Sequence, residues 1–197
     1  MADTYLTLGK PSEGVYREKM SKFLAFAHHA ATPEEAKEII ARYQKEYYDA
    51  RHVCWAYMTG FDRTVFQSND NGEPSGTAGK PILGQINSFG LTDVVIVVVR
   101  YFGGIKLGTS GLIVAYREAA REALQSADIV ECKLMKKVAF TFPYLAMNDV
   151  MRAVKQSDVE ISSQIFDNAC SMEIAVRADD HDRFIERITG IDGVTLA

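Results

Sequence analysis

Cysteine is scarce in this chain of 197 residues: Cys54, Cys132 and Cys170 are its only three. They are odd in number and far apart, which excludes a disulfide framework and provides no CxxC pair for zinc, so reduced, mostly buried thiols are expected. No apolar run approaches the roughly 20 residues that a membrane-spanning helix needs. The N-terminus carries no basic-then-apolar signal, and a cytoplasmic protein with no membrane partner is expected. Neither sign of charge is in large excess. At a net charge of −4, no global field draws the chain to nucleic acid, and any such binding must use a local basic patch.

Several chemical signatures are also missing. There is no GxGxxG. Gly103-x-x-x-x-Gly108-Thr109-Ser110 has the glycine spacing of a phosphate loop, but the lysine that should follow the second glycine is absent and Lys106 lies inside the loop. That lysine reaches the β/γ-phosphates, so its absence argues against an ATPase or GTPase. Ser75, Thr77, Ser110 and Cys54 sit in no nucleophile–base signature such as GxSxG. His28, His29 and His181 have no ligand spacing, and no cofactor is expected.

What the chain does have is a 47% apolar composition, enough for a real core, and one dominant stretch from Asp93 to Leu124. Val94–Val99 are six consecutive β-branched residues. They describe a central strand buried on both faces, because a half-exposed strand would alternate apolar with polar. Gly103, Gly104, Gly108 and Gly111 follow, and then a helix beginning about Leu112 with Ala115, Tyr116, Ala119 and Ala123 on one apolar face, ending near Asp128. Helix starts carry unpaired N–H groups and partial positive charge, so a glycine loop running into one can hold a phosphate or carboxylate. The same glycines also serve tight turns and close strand–helix packing.

Met1–Lys10 reads as a polar leader. Val15–Met20 and Phe23–His29 read as strands. Thr32-Pro33-Glu34-Glu35 combines a capping box with proline at the first helical position and opens a helix to about Tyr48. His52–Thr59 and Thr64–Ser68 read as an antiparallel pair. The segment from Asn69 to Pro81, with three glycines and two prolines in thirteen residues, specifies a shaped loop, with Thr77 as cap of a helix over roughly Ala78–Ser88. From Cys132 the elements alternate: strand Lys133–Phe142, helix Tyr144–Gln156 with Leu145, Val150, Met151 and Val154 inward, strand Val159–Phe166, a turn at Asp167-Asn168, strand Cys170–Arg177, a helix closed by Gly190 and a last strand near Val194. This β-α-β-β-α-β order is that of a ferredoxin-like domain, with a boundary near Glu131.

Arg51-His52-x-Cys54-Trp55-Ala56-Tyr57, the run Asp70-Asn71-Gly72-Glu73-Pro74-Ser75-Gly76-Thr77-Ala78-Gly79-Lys80-Pro81, and Arg100-Tyr101-Phe102-Gly103-Gly104-Ile105-Lys106-Leu107-Gly108-x-x-Gly111-Leu112-x-x-Ala115-Tyr116 together resemble the Impact family, in its bacterial YigZ-like branch. The motifs cover most of residues 12–125. The resemblance implies an α+β protein: a β-α-β domain over residues 1–131 of the type found in a small-subunit ribosomal protein and in the fourth domain of elongation factor G, then a ferredoxin-like tail over 132–197 similar to the fifth domain of that factor. Eukaryotic relatives regulate translation by competing for an activator of the kinase that phosphorylates an initiation factor. Three positions depart from the family's pattern. Asn71 replaces a second aspartate, which weakens a paired-carboxylate metal site at Asp70. Val53 replaces a histidine, and Val114 replaces a basic residue.

The resulting expectation is a non-enzymatic regulator of translation or ribosome-associated factor, partnered by the ribosome, RNA or a translation-associated protein. Its ligand-binding residues would be Gly76, Thr77, Gly79 and Lys80 from the first glycine segment, with Arg100, Tyr101, Gly103, Gly104, Lys106 and Gly108 from the second. Tyr101 and Phe102 would offer aromatic faces to bases, although as continuations of a buried strand at least one belongs to the core. The alternatives are an enzyme on a small phosphorylated or carboxylated substrate, with His52 or Glu73 as general base, and a protein-interaction module.

Overall fold

The computed structural model describes residues 3–167 and 169–197, so the turn expected at Asp167-Asn168 includes a residue, Asn168, outside that description. In chain order the elements are β1 (Thr4–Leu8), β2 (Ser12–Glu18), β3 (Ser21–His29), α1 (Pro33–Glu46), β4 (His52–Thr59), β5 (Val65–Asn69), α2 (Gly79–Ser88), β6 (Val94–Tyr101), α3 (Gly108–Gln125) and β7 (Ile129–Lys133). There follow β8 (Met135–Phe142), α4 (Met147–Lys155), β9 (Val159–Ile165), β10 (Cys170–Arg177), α5 (His181–Thr189) and β11 (Thr195–Leu196). The chain divides into two compact units, one being Tyr5–Cys132 and the other Lys133–Ala197 with Asp3 and Thr4.

The first unit is built on a five-stranded sheet of order β2-β3-β6-β4-β5, antiparallel throughout. β6 is central, and Val94–Val99 are all fully buried because each face of the sheet is covered. Val94, Ile96 and Val98 pack with Ile82 and Ile86 of α2 and with Leu112, Ala115 and Tyr116 of α3. Val95, Val97 and Val99 pack with Ala36, Ile40 and Tyr43 of α1. An unbroken β-branched run is what a strand needs when neither face meets water. α1 begins as its sequence indicates: the Glu35 N–H donates to Thr32 Oγ1 at 3.2 Å, and Glu35 Oε2 accepts from the Ala31 N–H at 2.8 Å, one residue earlier than the Thr32 N–H of the usual reciprocal box.

Four local expectations are corrected. The leader contains β1, which pairs with β7 in a two-stranded ribbon; such a short, half-polar strand carries little periodic signal and depends on a partner more than a hundred residues away. β2 stops at Glu18, because Lys19 and Met20 adopt left-handed φ of 45° and 64° and make a two-residue hairpin turn. The single strand expected over Lys133–Phe142 is two elements in different sheets, β7 ending at Lys133 and β8 starting at Met135. Leu145 was expected inward but is 95% exposed, since Tyr144–Ala146 form one turn of 3-10 helix ahead of α4 and break the helical phase.

The second unit has a four-stranded antiparallel sheet of order β11-β8-β10-β9. Val138, Phe140 and Phe142 of β8 and Met172, Ile174 and Val176 of β10 pack against Val150 and Val154 of α4 and Phe184 and Ile188 of α5. Arg177 grips Asp3 with two hydrogen bonds of 2.9 and 2.8 Å, tying the start of the chain to this unit. No helix of the described residues is long and apolar enough to cross a membrane.

α2 starts differently from the sequence expectation. Thr77 does not cap it; its hydroxyl donates to the Pro74 carbonyl at 2.6 Å. The cap is Asp70, eight or nine residues upstream, whose carboxylate accepts from the N–H groups of Gly76 (2.8 Å), Ala78 (3.0 Å) and Gly79 (2.8 Å). Partial burial pushes the Asp70 pKa upward, but the Gly76, Gly79 and Ala78 donors and the Lys80 ammonium outweigh it and hold the group below its ordinary 3.8.

Two measurements check this account. An alanine Cβ at Gly14 of β2 would lie 2.3 Å from the backbone nitrogen of Ala123 in α3, whereas at Gly84 of α2 it meets nothing within 4 Å. Gly14→Ala is therefore expected to lower unfolding free energy in urea by about 3 kcal/mol through overpacking, and Gly84→Ala to raise it by about 0.5 to 1 kcal/mol. Asp70→Ala is expected to cost about 2 kcal/mol at neutral pH. Because the folded Asp70 pKa is depressed, its contribution is complete above 3.8 and fades as pH falls through the folded value. The difference between wild type and Asp70→Ala in urea titrations should accordingly shrink as the pH is taken below 3.8.

Candidate functional site

β4 and β6 lie side by side, and their register sets His52 opposite Arg100 at one end of the sheet. The loop leaving β5 folds back over that end. Asn71 and Gly72, at φ of 43° and 81°, supply the reversal. The Asn71 side-chain oxygen accepts from the Val53 N–H at 2.8 Å, and the His52 Nδ1–H donates to the Asn71 carbonyl at 2.7 Å. The loop is thus fastened to the start of β4, and Glu73 is carried inward.

Glu73 is 9% exposed and meets three partners. Its Oε1 accepts from Arg100 Nη1 at 2.6 Å and from the Tyr116 hydroxyl of α3 at 2.7 Å. Its Oε2 lies 3.8 Å from His52 Nε2. The Arg100 guanidinium sits between two rings, 5.6 Å from the Phe23 centroid and 5.5 Å from that of Phe102. Its Nε is buried with no hydrogen-bond partner among the described residues. Beneath this, Cys54 Sγ is 3.0 Å from the Asp70 carbonyl and 3.4 Å from the Tyr116 hydroxyl. Burial raises the Cys54 thiol to about 12 and pushes the Tyr116 hydroxyl up strongly, so both stay protonated at neutral pH and neither is a ready nucleophile.

Above the ion pair opens a cleft of about 460 Å³. Arg51, His52, Glu73 and Pro74 line it together with Arg100, Phe102, Lys106, Leu107 and the first turn of α3. The two glycine-bearing segments therefore meet, at Gly72–Pro74 and Phe102–Thr109. α3 is 18 residues long, has no side-chain cap and has no acidic residue in its first turn. Gly108 and Thr109, in its first turn, line the cleft, and the start of a long helix carries partial positive charge.

Of the residues expected to bind ligand, Arg100, Lys106 and Gly108 line the cleft, as do His52 and Glu73. The N–H groups of Gly76 and Gly79 are engaged by Asp70, which itself serves as a cap, and Thr77 is buried against Pro74. Lys80 is exposed beside Asp70 and does not line the cleft. Tyr101 faces away, its hydroxyl donating to Asp49 at 2.9 Å. Gly103 is where β6 leaves the sheet against the β2–β3 turn, since a Cβ there would lie 2.1 Å from the Met20 carbonyl carbon. Gly104 supplies a left-handed φ of 89°. Arg51 lines the cleft without having been expected; its place directly before His52 was the available signal. Tyr116 was expected only as core, although a tyrosine on an apolar helix face needs a partner for its hydroxyl. Among the described residues no group of three or more His, Cys, Asp or Glu side chains is placed to hold a metal ion.

Comparison with known proteins fits this architecture. The Impact N-terminal domain matches residues 19–124, which include β6 and the cleft. The IMPACT family member YvyE of Bacillus subtilis (strain 168) is 33% identical over 189 residues, spanning 96% of this chain and 87% of that protein. The IMPACT family member YigZ of Escherichia coli (strain K12) is 31% identical over 178 residues, spanning 89% of this chain and 87% of that protein. A crystal structure of a hypothetical protein superposes with a TM-score of 0.77 at 28% identity, covering 100% of this chain and 97% of that one. With a matched domain and relatives that run nearly end to end, the chain belongs to the IMPACT family.

Proposed function

We propose that this protein is a non-enzymatic, cytoplasmic factor of the translation apparatus that binds RNA, or another phosphate-bearing ligand, in the cleft between Gly72–Pro74 and Phe102–Thr109. The observation that carries the reading is a contrast between two helix starts. The N-terminus of α2 already holds an anion, the Asp70 carboxylate, whereas that of α3 is uncapped and borders the same cleft as Arg51 and Lys106. Arg100 is matched by Glu73, so the uncompensated charge facing a ligand belongs to Arg51 and Lys106. Backbone N–H groups and cations grouped in this way suit phosphate oxygens. The translation setting rests on the family resemblance. We read the first unit as the ribosomal-protein and elongation-factor-G type, and the second, with its β11-β8-β10-β9 order, as ferredoxin-like.

A second reading, an enzyme with His52 as general base, is favoured by one observation: His52 is anchored at Nδ1, and its Nε2 lies on the cleft 3.8 Å from Glu73. Glu73 itself is engaged by Arg100 and Tyr116, which suits it to hold the site in shape.

Titration of single-stranded RNA by fluorescence anisotropy between 50 and 200 mM salt tests the first reading. Each phosphate neutralised contributes a slope of about −0.7 in log affinity against log salt. Lys106→Ala and Arg51→Ala are each expected to flatten the slope by about that amount, and salt-independent affinity would remove the reading. Turnover of a phosphorylated substrate that disappears in His52→Ala would instead establish the enzyme.

A further inference from the structure

The cleft also bears on which phosphate it takes. We propose that it is built for a phosphate monoester joined to a planar base, as in a free nucleoside monophosphate or the phosphorylated end of a single RNA strand, and not for the diester backbone along a strand. This rests on the proposed anion-binding role and narrows its ligand.

Three features point this way. The first is charge. With Arg100 matched by Glu73, the cleft presents Arg51, Lys106 and the α3 N-terminus, the last worth roughly half an elementary charge. A terminal phosphate carries about −1.5 to −2 at neutral pH and three free oxygens, while an internal diester carries a single charge. The second is an unused donor. The Arg100 side chain is 7% exposed, lines this cleft, and has an Nε with no hydrogen-bond partner among the described residues. The Nε is itself closed to solvent, so a ligand oxygen would reach it only with a small shift of the guanidinium, and an unsatisfied buried donor of this kind favours such a shift. The third is shape. A concavity of about 460 Å³ suits one small ligand held on several sides, and Phe102 stands at it 44% exposed, with the Arg100 guanidinium 5.5 Å from its ring. A half-exposed aromatic beside a phosphate site is a stacking platform for a base.

The test uses the full chain and one oligoribonucleotide prepared with a phosphate at the 5′ end, at the 3′ end, or at neither, together with adenosine monophosphate and inorganic phosphate as competitors. An end phosphate at one terminus is expected to tighten binding about tenfold, with the gain lost in Lys106→Ala and Arg51→Ala, both exposed positions. Phe102→Ala should weaken competition by adenosine monophosphate about tenfold and leave that by inorganic phosphate unchanged. Equal affinity for all three strands, with steep salt dependence, would overturn the monoester proposal and leave RNA binding standing. Binding of adenosine monophosphate but of no oligonucleotide would uphold the monoester chemistry, assign it to a free nucleotide and remove the RNA reading. Absence of binding by every probe would overturn both.

Discussion

The buried pair between Arg100 and Glu73 is the interaction on which the rest of this site depends. Removing two ions from water costs several kcal/mol each, to be offset by good geometry and by hydrogen bonds to the remaining polar atoms. Here a 2.6 Å contact is joined by the Tyr116 hydroxyl on the same carboxylate oxygen and by two aromatic rings flanking the guanidinium. Three elements thereby meet at one carboxylate: β6 through Arg100, α3 through Tyr116 and the loop after β5 through Glu73 itself. The pair also neutralises the arginine nearest the core, whereas Arg51 and Lys106 at the same cleft have no ion-pair partner among the described residues.

The paired helix starts show how one physical rule produces opposite outcomes. Both α2 and α3 follow glycine-bearing loops, and both present unpaired N–H groups. At α2, Asp70 reaches across and fills the position with a carboxylate, which converts the loop into a rigid support for Glu73. At α3, no side chain does so. The first glycine segment therefore engages donors of its own backbone and the second leaves its helix start without a side-chain cap, although in sequence both look like candidates for the same task.

What could be read in the sequence was what local chemistry decides. Val94–Val99 announce a doubly covered strand, and Thr32-Pro33 with Glu35 announces the start of α1, because each signal lies within one or two turns of the element it specifies. Residues whose roles depend on distant partners were harder. β1 exists through pairing with β7. Leu145 is turned outward by a break in helical phase that its apolar character does not reveal. Asp70 looked like part of a weak metal site and serves as a remote helix cap, which no fixed offset from α2 would suggest. Lys106, Gly108, Arg100, His52 and Glu73, which line the cleft, are prominent in the sequence because they stand in dense motifs. The place of Arg51 on the cleft and the engagement of Gly76 and Gly79 by Asp70 and of Thr77 by Pro74 are not legible there, because sequence order does not show which donors the protein engages itself.

Cys54 is fully buried, its thiol is raised to about 12, and its sulfur rests against the Asp70 carbonyl. Its shelter is made partly of the very segment that carries Glu73 into the cleft. The sulfur thus works as a built-in sentinel: a thiol reagent reaches it when its cover, the Asp70 segment or the Tyr116 ring of α3, moves aside, so labelling kinetics at this one atom report local opening beneath the cleft in an otherwise folded molecule.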